Sequence, residues 1–201
     1  MVFWESLHYP PMNYGYPGLK VCRHRGDKVK VGDYEIYAGA GRDLMPDDMK
    51  NFDVIIPLAG ASSWIWDGGF SGLVLAYPME DGGGIKGPWK KFLNIVIGLL
   101  DEGKRVLVYC LGGHGRTGTF LASLIALLEQ PEDPIDEIRK RYCKEAVETE
   151  EQAKAIFELL KKPLPKKYVK EFAIPTGFAY KFSRKRKESK KALKNQNELM
   201  Y

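Results

Sequence analysis

The chain has 201 residues, 44% hydrophobic and 28% charged, with a formal net charge of +5. That is enough apolar content for one packed core and a length that suits a single domain. Cys22, Cys110 and Cys143 are too few and too scattered for a disulfide scaffold. No Cys-x-x-Cys or Cys/His cluster has zinc-ligand spacing, so neither a metal nor a cofactor is expected. No apolar run approaches 18 residues and no signal-peptide pattern opens the chain, so it is expected to be cytoplasmic, neither secreted nor membrane-spanning (nuclear as well in a eukaryotic host).

Residues 1–30 are rich in aromatics and proline (Trp4, Tyr9, Pro10, Pro11, Tyr14, Tyr16, Pro17). They show neither period 2 nor period 3.6 and are expected to form an irregular arm packed on the domain. Tyr34 to Tyr37 reads as a first strand, Pro46 to Lys50 as a short helix, Asp53 to Leu58 as a second, buried strand and Gly72 to Tyr77 as a third. Pro88 to Leu100 places Trp89, Phe92, Leu93, Val96, Leu99 and Leu100 at helical spacing, with Pro88 in the favoured first turn and Gly103 beyond the end. Val106 to Tyr109 is a central strand. Helices are predicted over Thr117–Glu129, Pro134–Tyr142 and Glu150–Leu160. Strands alternating with helices define an α/β domain, expected over residues 31–180, with its ligand crevice at the carboxyl ends of the strands.

The charge sits at one end. Residues 181–201 hold eight Lys/Arg (Lys181, Arg184, Lys185, Arg186, Lys187, Lys190, Lys191, Lys194) against Glu188 and Glu198, whereas residues 1–180 hold 23 basic and 24 acidic side chains. Such a basic tail can bind nucleic acid or an acidic partner, although a solvated terminus has the same composition.

The chemistry concentrates in Tyr109-Cys110-Leu111-Gly112-Gly113-His114-Gly115-Arg116-Thr117-Gly118. An apolar strand enters this stretch and an apolar helix, Phe120 to Leu128, leaves it. A strand, a glycine-rich turn and a helix N-terminus form an anion site, because turn amides and unpaired helix N–H groups converge on one point. Those dipoles and Arg116 favour a thiolate at Cys110, a strong nucleophile toward phosphorus. The backbone of Leu111, Gly112, Gly113, His114 and Gly115 would line the phosphate, the glycines allowing close approach. Arg116 offers a planar fork for two oxygens. Thr117 is placed to hydrogen-bond the sulfur and ease its departure.

Cys110-x5-Arg116-Thr117 resembles the signature of the cysteine-dependent protein tyrosine phosphatase superfamily, and its Gly-Gly-x-Gly-Arg interior is most similar to the dual-specificity branch. The resemblance implies a mixed, mostly parallel sheet flanked by helices. It also implies hydrolysis of phosphomonoesters, phosphotyrosine and phosphoserine/threonine in proteins, through a phosphocysteine intermediate with no metal. Tyr109 departs from the pattern: relatives carry a His there that helps to order the loop.

Leu75-Ala-Tyr-Pro78-Met79-Glu80-Asp81-Gly82-Gly83-Gly84 ends a strand with an acid and three glycines, flexible enough to close over a bound ester. It resembles the family's general-acid loop, in which Asp81 matches the proton donor. Glu80 and Asp67, before Gly68-Gly69, are the competing acids. Thr149-x-x-Gln152 is similar to a segment in which Gln152 would position the hydrolytic water, and it is equally a capping box opening an amphipathic helix. Arg139, Arg141 and Lys86 read as solvated or structural. Cys22 and Cys143 read as plain thiols, and His114 as a residue that shapes the loop or faces substrate. Two further readings stay open: an RNA 5′-triphosphatase of the same superfamily, which the basic tail would suit, and a weakly active phospho-binding module.

Overall fold

The computed structural model describes residues 22–60, 65 and 69–173. Among these, five strands form one mixed sheet: β1 (Arg25–Val31), β2 (Tyr34–Ala40), β3 (Val54–Pro57), β4 (Leu73–Val74) and β5 (Val106–Cys110). Their spatial order is β1-β2-β5-β3-β4, with β1 antiparallel to β2 and every other pair parallel. Among the described residues six α-helices accompany them: α1 (Pro46–Met49), α2 (Trp89–Asp101), α3 (Gly115–Leu128), α4 (Pro134–Arg141), α5 (Glu150–Leu159) and α6 (Lys166–Ala173). The expected α/β sheet flanked by helices is the observed fold.

Three local expectations are corrected. The irregular arm drawn over residues 1–30 runs into β1, whose Lys28–Val31 segment pairs in register with Tyr34–Tyr37 across a turn; residues 1–21 lie outside the described set, as does the basic tail from 174 onward. The third strand shrinks from Gly72–Tyr77 to Leu73–Val74, because beyond Leu75 the chain leaves the edge of β3 to build a loop. Helix α6 was not anticipated. It is held where it lies by Tyr168, which donates to Asp133 at 2.7 Å, by Lys167 on the same carboxylate, and by Arg139, which pairs with Glu171 at 2.7 Å.

The central strand decides the rest. Val106, Val108 and Cys110 face the main core with Phe120, Leu121, Leu124 and Ile125 of α3, whereas Leu107 and Tyr109 face a smaller cluster with Leu44, Met49, Ile55 and Phe70. The period of two along a strand thus sends Cys110 to the helix side and Tyr109 to the opposite side. Helix α3 packs so tightly on the α4–α5 connection that a Cβ on Gly118 would stand 2.8 Å from Ala146 Cβ and 2.9 Å from the Val147 backbone nitrogen. Gly118→Ala should therefore destabilise the fold by about 1–3 kcal/mol through overpacking, read as a lowered denaturation midpoint. An unchanged midpoint would mean that this connection yields freely.

Candidate active site

Cys110 ends β5 on the buried side and is 3% exposed. The chain turns at once, and Gly113 takes φ +77° so that its amide points back, donating to Cys110 Sγ at 3.2 Å. A side chain is disfavoured at that φ and would also lie 3.1 Å from Ala40 and from the His24 ring. Helix α3 begins at Gly115, two residues earlier than the predicted Thr117, so Arg116 belongs to its first turn. The amides of Gly115, Arg116 and Thr117 have no acceptor within the helix, that of Gly115 facing the Glu148 carboxylate, while Gly118 N already donates to His114 O at 2.8 Å. Gly115 is where the loop meets the α4–α5 connection: a Cβ there would collide with the Glu148 carboxylate and come within 3.0 Å of Gln152 Nε2.

Arg116 is 7% exposed and reaches out of the core to the acid loop, donating to Met79 O at 3.3 Å and pairing with Asp81 Oδ1 at 2.9 Å. Met79 is itself fixed by its amide on Leu58 O, at the end of β3. The structure thus brings Cys110, Arg116 and Asp81 into one place from three segments. Glu80 is not part of it: its carboxylate turns to Lys86 at 3.2 Å, which also accounts for Lys86. Asp67 lies outside the described residues.

Other expectations are modified. Thr117 Oγ1 is buried with no hydrogen-bond partner among the described residues, so the hydroxyl–sulfur bond is not formed here. Gln152 caps as foreseen, its amide donating to Thr149 Oγ1 at 3.2 Å, but its Oε1 accepts from Glu148 N at 2.9 Å rather than from the cap residue, and its buried Nε2 has no partner among the described residues. Tyr109 is turned away from the loop, and burial pushes its phenol up to about 12. Arg139 and Arg141 are structural: Arg139 donates to Ala146 O and Val147 O, and Arg141 bridges Glu129 and Glu137.

Four residues around the loop were missed. Arg42, just past the carboxyl end of β2, donates its amide to Leu111 O at 3.4 Å and lies beside Gly112. The convergence of parallel strands' carboxyl ends on a site was the available signal. Glu148 stands at the loop's rim, 3.9 Å from His114 Nδ1; burial against the loop and the nearby Asp81 push its carboxyl up, and Arg116 opposes them. Tyr142 donates to Gly113 O at 2.7 Å and packs at a tilt of 39° against the ring of His24, which in turn packs on Gly113. His114 turns inward beside His24, ring centroids 5.1 Å apart, and burial lowers its pKa.

A thiol, a guanidinium and a carboxylate around converging amides at the carboxyl end of a parallel sheet make an arrangement suited to phosphoester chemistry. Comparisons with known proteins point the same way. Residues 85–172 match the family described as "PTP-SAK: Swiss Army Knife protein, DSP-PTPase phosphatase domain". An uncharacterized protein of Methanocaldococcus jannaschii, MJECL20, is 43% identical over 94 residues, 45% of this chain and 61% of that protein. A second from the same organism, MJ0215, is 55% identical over 58 residues, 29% of this chain and 36% of that protein. The chain therefore spans less than two thirds of the length of either relative. Among solved structures, Tk-PTP in its active form superposes with a TM-score of 0.52 at 22% identity, covering 68% of this chain and 97% of Tk-PTP. The kinase-associated phosphatase, with its catalytic cysteine changed to serine, superposes with a TM-score of 0.55 at 15% identity, covering 69% and 93%. At those identities the structural likeness is one of fold. Together with the matched stretch, which is somewhat under half of the chain, it makes the chain similar to cysteine-dependent dual-specificity phosphatases. No helix among the described residues is long and apolar enough to cross a membrane.

Proposed function

We propose that the protein hydrolyses phosphomonoesters on proteins, phosphotyrosine and phosphoserine/threonine alike, through a phosphocysteine intermediate on Cys110. The observation that carries this reading is the buried Cys110 Sγ, held by the Gly113 amide at the head of α3, with Arg116 spanning from that loop to Asp81. Substrate phosphate would settle among the amides of residues 111–116 and take the Arg116 fork, displacing Asp81 toward the leaving oxygen. Cys110 Sγ forms a bond to phosphorus as the phosphorus–oxygen bond breaks, and Asp81 passes its proton to the departing oxygen. Water then attacks phosphorus, its proton goes to Asp81, and the sulfur leaves, releasing inorganic phosphate. Gln152, its amide nitrogen buried against Gly115, is the residue best placed to orient that water. Thr117 would assist the sulfur's departure by rotating its hydroxyl toward it. The fold shape shared with Tk-PTP and the kinase-associated phosphatase supports the assignment.

The test is vanadate-sensitive hydrolysis of a phosphotyrosine peptide, a phosphoserine peptide and a triphosphorylated RNA, each compared with Cys110→Ser. Turnover of both peptides supports the proposal. Preference for the RNA would reassign the substrate, and vanadate-sensitive binding without turnover would reduce the protein to a phosphate-binding module. Asp81→Asn separates the acid's role from substrate binding. It should lower kcat on phosphoserine by about 10²–10⁴-fold and on p-nitrophenyl phosphate much less, since the nitrophenolate leaves without a proton. Equal losses on the two would place the acid elsewhere.

A further inference from the structure

Behind the phosphate loop lies a cluster for which the phosphatase chemistry has no use. Cys22 and His24 precede β1, His114 is the loop residue capping α3, and Cys143 follows α4. Each offers one ligand atom, and the four atoms lie within 4.8 Å of one another. We propose that Cys22, His24, His114 and Cys143 form a tetrahedral Cys2His2 zinc site that fastens the phosphate loop to the segment before β1 and to the end of α4.

The geometry argues for a metal. Both thiols are free, with their sulfurs 3.9 Å apart. Two thiolates bound tetrahedrally at about 2.3 Å from zinc stand about 3.8 Å apart, whereas a disulfide would bring them to about 2.05 Å. Closing the widest pair of ligand atoms takes a movement of about 1 Å on the same geometry.

The imidazoles argue independently. His24 is 4% exposed, and its Nδ1 sits 2.6 Å from Asp27 Oδ2, which leaves Nε2 as the free nitrogen; that atom is buried without a partner among the described residues. A ring nitrogen oriented by a carboxylate on its far side is the usual second layer of a zinc histidine. His114 likewise has its Nε2 buried and unpartnered among the described residues, with its Nδ1 on the side of Glu148, 3.9 Å from Oε1 and beyond hydrogen-bond distance. A buried polar atom without a partner is costly, and two in one place call for a shared explanation. A Cys22–Cys143 disulfide would leave both nitrogens orphaned, whereas one zinc ion satisfies both.

The surroundings are built to hold the cluster. Arg42 donates to Cys22 O at 3.0 Å, His24 N donates to Asp43 at 3.2 Å, and Ala40 N donates to His24 O at 2.8 Å. Tyr142 covers His24 while bonding the loop at Gly113. Four protein ligands leave no open position, so the ion is structural and does not meet the phosphate. Each thiol releases one proton to solvent as its sulfur–zinc bond forms, and no electrons move. Soft sulfur with imidazole nitrogen in a tetrahedron selects zinc over magnesium or calcium.

The test is metal content and reconstitution of the full chain, purified under reducing conditions. One zinc per chain by elemental analysis is expected, removable by a strong chelator and restored by titration with Zn2+. Co2+ in its place should give the intense visible bands of a tetrahedral site and a thiolate-to-metal band in the near ultraviolet. Cys22→Ser and Cys143→Ser should lose that near-ultraviolet intensity in part, and Asp27→Asn, which keeps all four ligands, should weaken zinc binding about 10–100-fold. Cys110→Ser should bind zinc as the unaltered chain does, so this outcome is independent of the phosphatase mechanism. Any of three results would overturn the site: a reduced chain that takes up no zinc, a cobalt spectrum lacking the thiolate band, or uptake that disappears with Cys110→Ser.

Discussion

Cys110→Ser should abolish turnover of p-nitrophenyl phosphate and of phosphopeptides, by at least about a thousandfold in kcat, while the protein still binds vanadate or phosphate. The expectation follows from what the residue does and from where it lies. The sulfur is the one protein atom proposed to bond to phosphorus, and a serine hydroxyl, which keeps its proton where a thiol in this setting gives it up, is a far weaker nucleophile. When the nucleophile goes, what is left is the contribution of binding and electrostatics, so a small residual rate is compatible with the mechanism. The substitution is nearly isosteric at the end of β5, where the side chain accepts a bond from Gly113 N. A serine oxygen can accept that bond too, so the loop should keep its shape and its affinity. Substantial turnover by the serine variant would remove the covalent step. Loss of anion binding together with activity would instead mean that the loop had been disturbed.

Arg116→Lys should cost about 10²–10³ in kcat on every substrate, the range seen when one preorganised donor to a developing charge is removed. Lysine keeps the charge but not the fork, so it can satisfy one oxygen of the phosphoryl group where arginine grips two. The structure adds a second cost. The same guanidinium donates to Met79 O and pairs with Asp81, and so sets the position of the acid loop relative to the sulfur. The defect should therefore appear in kcat more than in KM and should exceed, on phosphoserine, what the lost phosphate contact alone produces. A lysine variant within a few-fold of the unaltered protein would show that the fork is dispensable.

What could be read from the residue order was what depends on neighbours along the chain. The β5–loop–α3 unit is continuous, so its strand, its glycines and its apolar helix were visible together, and Cys110 with Arg116 came with them. Asp81 was legible because an acid before three glycines at a strand end is itself local. Contacts made across the fold were not. Strand β1 shows only Val29 and Val31 as its buried pair, and it becomes a strand through β2. Helix α6 has eight residues and buries only Tyr168, so its amphipathic face acquires meaning only against Asp133 and Arg139. Cys22 and Cys143 are 121 positions apart, and no spacing rule joins them; the antiparallel β1 and the turn after α4 do. Tyr109 was read through its neighbour Cys110, yet the alternation of a strand sends adjacent side chains to opposite faces.

The most direct measurement of the central claim is rapid-quench mass spectrometry of the unaltered chain mixed with p-nitrophenyl phosphate. One phosphoryl group should appear on the peptide containing Cys110 before steady turnover begins, at up to one per chain, and it should be missing from Cys110→Ser. Nitrophenolate released through many turnovers with that peptide unmodified at every quench time would contradict the account.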